Sequence, residues 1–73
     1  MIIRNASQIL KKNDIDSHEL DAQIILSDIM GIKREKFITN KEIYITKNII
    51  KKYYAAIKRR IKREPVAYII GKK

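Results

Sequence analysis

Apolar residues near the N-terminus recur at helical spacing: Ile2, Ile3, Ala6, Ile9 and Leu10 fall on one face, and Arg4, Gln8 and Lys11 on the other. The spacing predicts a first helix that ends by Asn13. The Asn, Asp and Ser residues from Asn13 to Ser17 offer side chains that bond nearby backbone groups, which favours a turn there. Ser17 is placed to cap a second helix beginning at His18, with Glu19 and Asp21 putting negative charge in its positive first turn. In that helix Leu20, Ala22, Ile24, Ile25, Leu26, Ile29 and Met30 cover more than one stripe, the pattern of a helix buried among neighbours, and Gly31 is suited to close it.

Lys33 to Thr39 predicts one short helix with Phe37 and Ile38 inward, and Asn40 interrupts the pattern. Ile43, Tyr44 and Ile45 alternate like a strand, but a lone strand has no partner in so small a helical chain, so the expectation is an extended connector. The longest helix is predicted from Thr46, as N-cap, through Arg63, with Ile49, Ile50, Tyr53, Ala56, Ile57 and Ile61 inward. Glu64-Pro65 then breaks it, because the residue before a proline avoids the α region and proline suits the first position of a new helix. A last short helix is expected from Pro65 to Ile70, closed by Gly71. These elements predict an all-α bundle of about five helices, with residues 1–73 as a single domain and the Thr46 to Arg63 helix at its centre.

Length and composition narrow the functions open to such a bundle. At 73 residues the chain has no room for a nucleotide-binding sheet beside a substrate pocket. Its 45% hydrophobic content is too high for a disordered basic tail. With no cysteine, disulfides and thiolate metal sites are excluded, which suits a reducing compartment and a cytoplasmic location. Apolar runs fall far short of the roughly 18 residues that span a bilayer, so no membrane association is expected.

The net charge of +9 is unevenly distributed. Residues 1–32 carry 3 basic and 5 acidic groups, whereas residues 33–73 carry 14 basic and 3 acidic ones. Isoleucine outnumbers leucine 17 to 3 and lysine outnumbers arginine 12 to 5, the signature of an AT-rich genome, so codon bias accounts for part of the charge. From Lys47 to Arg63 there are eight cations and no acid, with Lys51, Lys58 and Lys62 on one ridge and Lys52, Arg59 and Arg63 beside it. Like charges at this spacing repel by a few tenths of a kcal/mol per pair, so helix stability does not call for them. A polyanion or an acidic protein surface does.

The remaining candidate chemistry is sparse. Tyr53 is in phase with Ile49, Ile57 and Ile61 and reads as core, leaving Tyr54 as the one stacking candidate on the basic helix. A helix-turn-helix over residues 18 to 38 would carry Glu19, Asp21 and Asp28 toward phosphates that repel them. His18, the only imidazole, reads as an exposed surface residue without partner ligands. Asp14, Asp16, Glu19 and Asp21 lack calcium-loop spacing and read as turn and capping residues. No catalytic, cofactor-binding or metal-ligating residue is assigned.

The stretch Arg59-Arg60 followed by Glu64-Pro65-Val66-Ala67-Tyr68-Ile69-Ile70-Gly71 resembles the end of the N-terminal helical domain of the bacterial protein-glutamine N5-methyltransferases that modify peptide chain release factors. Asp21 to Leu26, Gly31 and Arg34 to Ile38 are similar to that domain's second helix and the segment after it. The matched blocks touch most of residues 17 to 71, and Arg63 departs from a position where the family commonly has a small residue or glycine. The resemblance implies a five-helix domain joined to a separate Rossmann-like catalytic domain that binds S-adenosylmethionine. There an Asn-Pro-Pro-Tyr motif would hold the glutamine amide by positioning and electrostatics. The 73 residues end where that family's connecting hairpin would begin, so the catalytic domain is expected to lie outside them and this segment to be non-catalytic.

The implied partners are release factors, whose Gly-Gly-Gln loop enters the catalytic domain, and that catalytic domain itself. A monomer is expected. Lys51, Lys58, Arg59 and Lys62 are the candidate docking residues, and Arg60, Glu64, Pro65, Tyr68 and Gly71 are the family-matching residues of the helix junction. The alternative from another class is a freestanding basic module that binds RNA or ribosomes. Under the family resemblance, nucleic acid enters only indirectly.

Overall fold

A computed structural model describes residues 2–39 and 43–71, apart from the side chain of Ile38. The described residues form five helices: α1 (Ile2–Lys12), α2 (His18–Met30), α3 (Glu35–Thr39), α4 (Lys47–Ile61) and α5 (Val66–Ile69). The all-α expectation holds, and residues 43–46 connect α3 and α4 without regular secondary structure, so Ile43 to Ile45 form no strand. The expected break at Asn40 and the inward side chain of Ile38 lie outside the described residues.

The core forms where α1, α2 and α4 meet. Ala6 and Leu10 of α1, Ala22, Ile25 and Leu26 of α2, and Tyr53, Ala56 and Ile57 of α4 are buried there. Burying such side chains contributes roughly 1.5–3 kcal/mol each for the larger ones, the main favourable term available to so small a chain. Phe37 of α3 and Val66 and Ile69 of α5 pack against its edges. Tyr53 is in the core as its phase predicts, and its hydroxyl donates to the carbonyl of Ala22 at 2.8 Å. That bond pins α4 to α2 and satisfies the one polar atom the ring brings inside. Leu20 and Ile50 do not point inward as expected: they are 46% and 37% exposed, because the neighbouring helices cover only part of α2 and the first turn of α4.

Three helices end in the same backbone device. After α1, Ile15 N–H donates to Leu10 and Asp14 N–H to Lys11; after α2, Ile32 donates to Ser27 and Gly31 to Asp28; after α4, Glu64 donates to Arg59 and Arg63 to Arg60. This Schellman arrangement requires a left-handed residue, and Asp14, Gly31 and Arg63 supply it with φ of 62°, 67° and 72°. It explains why α4 stops at Ile61 rather than reaching Arg63. It also buries Ile15, a turn residue outside the predicted core, by folding it back over the end of α1.

The starts of helices differ from one another. Thr46 caps α4 as predicted, its hydroxyl accepting from Ile49 N–H at 3.2 Å. Ser17 precedes α2 in the predicted place but does not cap it: its hydroxyl donates to Asp21 Oδ2 at 2.8 Å instead. Ser17 has φ of −83° and ψ of 28° rather than the extended backbone of a capping residue such as Thr46, and its hydroxyl makes a charge-assisted bond to the carboxylate. Pro65, expected as the first residue of α5, is its N-cap with ψ of 142°, and its carbonyl accepts from Tyr68 and Ile69. The short third helix starts at Glu35 rather than Lys33.

Candidate functional site

The largest difference from the sequence reading is at Asp21. This residue is buried, its side chain only 6% exposed, and Arg60 Nε donates to its Oδ2 at 2.7 Å across 39 positions of sequence. Ser17 donates to the same oxygen. Arg60 also donates from Nη1 to the Glu64 carbonyl at 3.3 Å, so one guanidinium ties the end of α4 to α2 and to the turn that starts α5. Asp21 does place charge in the first turn of α2 as expected, but its reading as only a turn or capping residue is corrected: it is the anchor of a largely buried ion pair. Its position on α2 permits this because Asp21, Ala22 and Ile25 share the face that α4 covers.

His18 is also corrected. It is half-buried rather than exposed, with Nδ1 2.8 Å from the hydroxyl of the buried Ser7 on α1. The two residues line a cleft of about 410 Å³ between α1, α2 and α3, to which Phe37 of α3 also contributes. Among the described residues no group of His, Cys, Asp and Glu is arranged to hold a metal ion.

The candidate docking residues lie on α4 or at its end, and Lys51, Lys58, Arg59 and Lys62 are all exposed. They are not equivalent. Arg59 pairs with Glu64, whose hydrogen bond raises the guanidinium pKa above its ordinary value, so its charge is locally answered. Lys51 and Lys58 instead flank a groove of about 490 Å³ between α1 and α4, which the sequence reading missed. Ile9, Tyr54, Ile57 and Ile61 contribute to its lining. Tyr54, the one stacking candidate, forms part of this wall: Asn5 Nδ2 donates to its hydroxyl at 2.6 Å, and its ring centroid lies 5.9 Å from that of Tyr53. The signal for the groove was in the sequence. Lys51, Tyr54, Ala55, Lys58 and Ile61 recur at i, i+3, i+4, i+7 and i+10 on α4, one face over from the core stripe.

Of the junction residues, Arg60, Glu64 and Pro65 build the α4–α5 turn through the bonds above. Gly71 adopts φ of 71° and its N–H donates to Tyr68. Tyr68 is 70% exposed. Among the described residues no helix is long and apolar enough to cross a membrane.

These features define a small all-α domain with a cation-flanked surface. Comparison with known proteins supplies the particular family: the sequence model of the PrmC N-terminal domain matches residues 2–71, and the chain belongs to that family. It is 33% identical over 72 residues to the release factor glutamine methyltransferase of Leptospira interrogans, covering 99% of this chain and 25% of that protein. It is 33% identical over 63 residues to the protein of the same name from Clostridium botulinum, covering 86% and 22%. A bifunctional methyltransferase of Rickettsia felis is 33% identical over 70 residues, 96% of this chain and 13% of that protein. The chain thus spans about a quarter or less of the length of these relatives. No solved structure matches it.

Proposed function

We propose that the 73-residue chain is the substrate-recognition domain of a protein-glutamine N5-methyltransferase, and that it docks peptide chain release factors for a separate catalytic domain. That domain binds S-adenosylmethionine and methylates the glutamine of the Gly-Gly-Gln loop; the chain described here holds the substrate and takes no part in methyl transfer. The reading places the enzyme in the cytoplasm and the domain as a monomer.

The observation that carries the docking role is the exposed, acid-free ridge of α4, with Lys51, Lys58 and Lys62 turned to solvent while the opposite face is buried. Exposed cations of one sign speed encounter with an acidic partner more than they tighten the complex. Arg59 contributes less because Glu64 answers its charge. The exposed ring of Tyr68 and the turn built by Arg60, Glu64 and Pro65 suit contact with the catalytic domain.

Titration of a purified release factor into the chain, followed by calorimetry, tests the reading. Saturable binding that weakens as salt rises is expected. Absence of binding at low salt, or tighter binding to generic RNA than to the release factor, overturns it in favour of a nucleic-acid module.

A further inference from the structure

We propose that the groove between α1 and α4 is the seat of an acidic segment of the partner that inserts apolar side chains between Lys51 and Lys58. The proposal rests on the docking reading above and gives it a location and a chemistry.

The groove has the anatomy of a recognition surface. Its lining is apolar, from Ile9 of α1 and Tyr54, Ile57 and Ile61 of α4, and its volume of about 490 Å³ lies within the range of binding clefts. Its wall is preorganised: Asn5 holds the Tyr54 hydroxyl at 2.6 Å, so little side-chain freedom is lost when a partner arrives. Lys51 and Lys58, two helical turns apart on one face of α4, both line the groove beside these apolar residues. Neither makes an ion pair among the described residues.

Charge complementarity selects the occupant. No carboxylate occurs between Lys47 and Ile61, so a partner entering the groove meets cations alone. A segment with leucine-like side chains flanked by Asp or Glu fills the floor and neutralises both lysines. An uncharged apolar segment would leave the rim unanswered. A nucleic-acid backbone would answer the rim but leave the apolar floor wet, which disfavours it here.

The test uses the 73-residue chain and, as probe, a fluorescent synthetic peptide repeating Glu-Leu-Leu-Glu. Binding is read by anisotropy, and its location by amide shifts of Ile9, Ala55 and Ile61 in NMR spectra. Two double variants carry the same charge change on one helix: Lys51→Glu with Lys58→Glu at the groove, and Lys47→Glu with Lys52→Glu away from its lining. A third, Ala55→Glu, places a negative charge at an exposed lip of the groove. Circular dichroism checks that each variant folds.

The groove variants are expected to weaken the peptide roughly tenfold and the off-groove pair about twofold or less. Equal losses in the two double variants, or shifts centred elsewhere, overturn the proposal. So does displacement of the peptide by generic RNA. A release factor that binds the chain without displacing the peptide, and ignores the groove variants, overturns the groove as docking site and leaves the docking reading intact. Peptide binding as expected, with no competition from any release factor, keeps the groove's chemistry and overturns the choice of release factor as partner.

Discussion

The left-handed residues that end α1, α2 and α4 place the same backbone demand on three different side chains. Glycine meets it without steric cost at Gly31, where a Cβ would find nothing within 4 Å, so the local backbone alone sets the penalty for replacing it. Arg63 occupies the equivalent place after α4 at φ of 72°. An L-residue there costs about 1 kcal/mol relative to glycine. Arg63→Gly is therefore expected to raise stability by about 1 kcal/mol in urea unfolding, and Gly31→Ala to lower it by a similar amount. Tyr53 gives a second test at this scale. Burial pushes its phenol well above the ordinary value, with neighbouring Tyr54 adding to the shift, so the folded state keeps a proton that the unfolded chain releases near pH 10. The folded state then binds more protons than the unfolded one, and stability must fall as pH rises above about 10, by up to roughly 1.4 kcal/mol per pH unit. Tyr53→Phe lacks this contribution, so its loss of stability over the same range should be shallower. Parallel slopes for the two proteins would count against the buried phenol.

Helix boundaries show what was legible and why. Thr46 and Gly31 could be read because a capping hydroxyl and a glycine act within a few residues of their own position. The number of helices and the core phase of Tyr53, Ala56 and Ile57 were legible for the same reason: periodicity is local. Asp21 with Arg60 was not, since the pair joins residues 39 apart and each looks like an ordinary surface charge in its own helix. Ile15 was missed because Asp14 gives no glycine signal for the turn that buries it. The groove was partly legible, its α4 stripe in the spacing and its α1 wall only in the packing. The contrast between the two N-terminal hydroxyls can be measured. Thr46→Ala removes a cap and is expected to cost about 1 kcal/mol. Ser17 acts through Asp21, so Ser17→Ala should destabilise the wild-type chain yet become nearly neutral once Asp21 is alanine. In the same series, a double-mutant cycle of Asp21→Ala and Arg60→Ala should return a coupling of about 2 kcal/mol, because removing either partner strands a largely buried charge. A coupling near zero would reduce the pair to a surface contact.

For the molecule as a whole, the +9 charge sets folding and binding against each other. Along α4, Lys47 with Lys51 and Lys58 with Lys62 are like-charge pairs one helical turn apart, each destabilising by a few tenths of a kcal/mol. The exposed Arg59–Glu64 pair offsets little of this, and the Asp21–Arg60 pair lies too deep to be screened strongly. Raising salt shortens the Debye length from about 30 Å at 0.01 M to about 10 Å at 0.1 M, which weakens repulsion across the ridge. Unfolding free energy should therefore rise with salt, by about 1 kcal/mol or less, while affinity for an acidic partner falls over the same range. The Lys51→Glu with Lys58→Glu variant removes the repulsion and the attraction together, so both salt responses should flatten. If its unfolding responds to salt as the wild-type chain does, the ridge is not what holds the fold back. If stability and affinity of the wild-type chain move in the same direction with salt, the ridge cannot serve binding at the expense of folding.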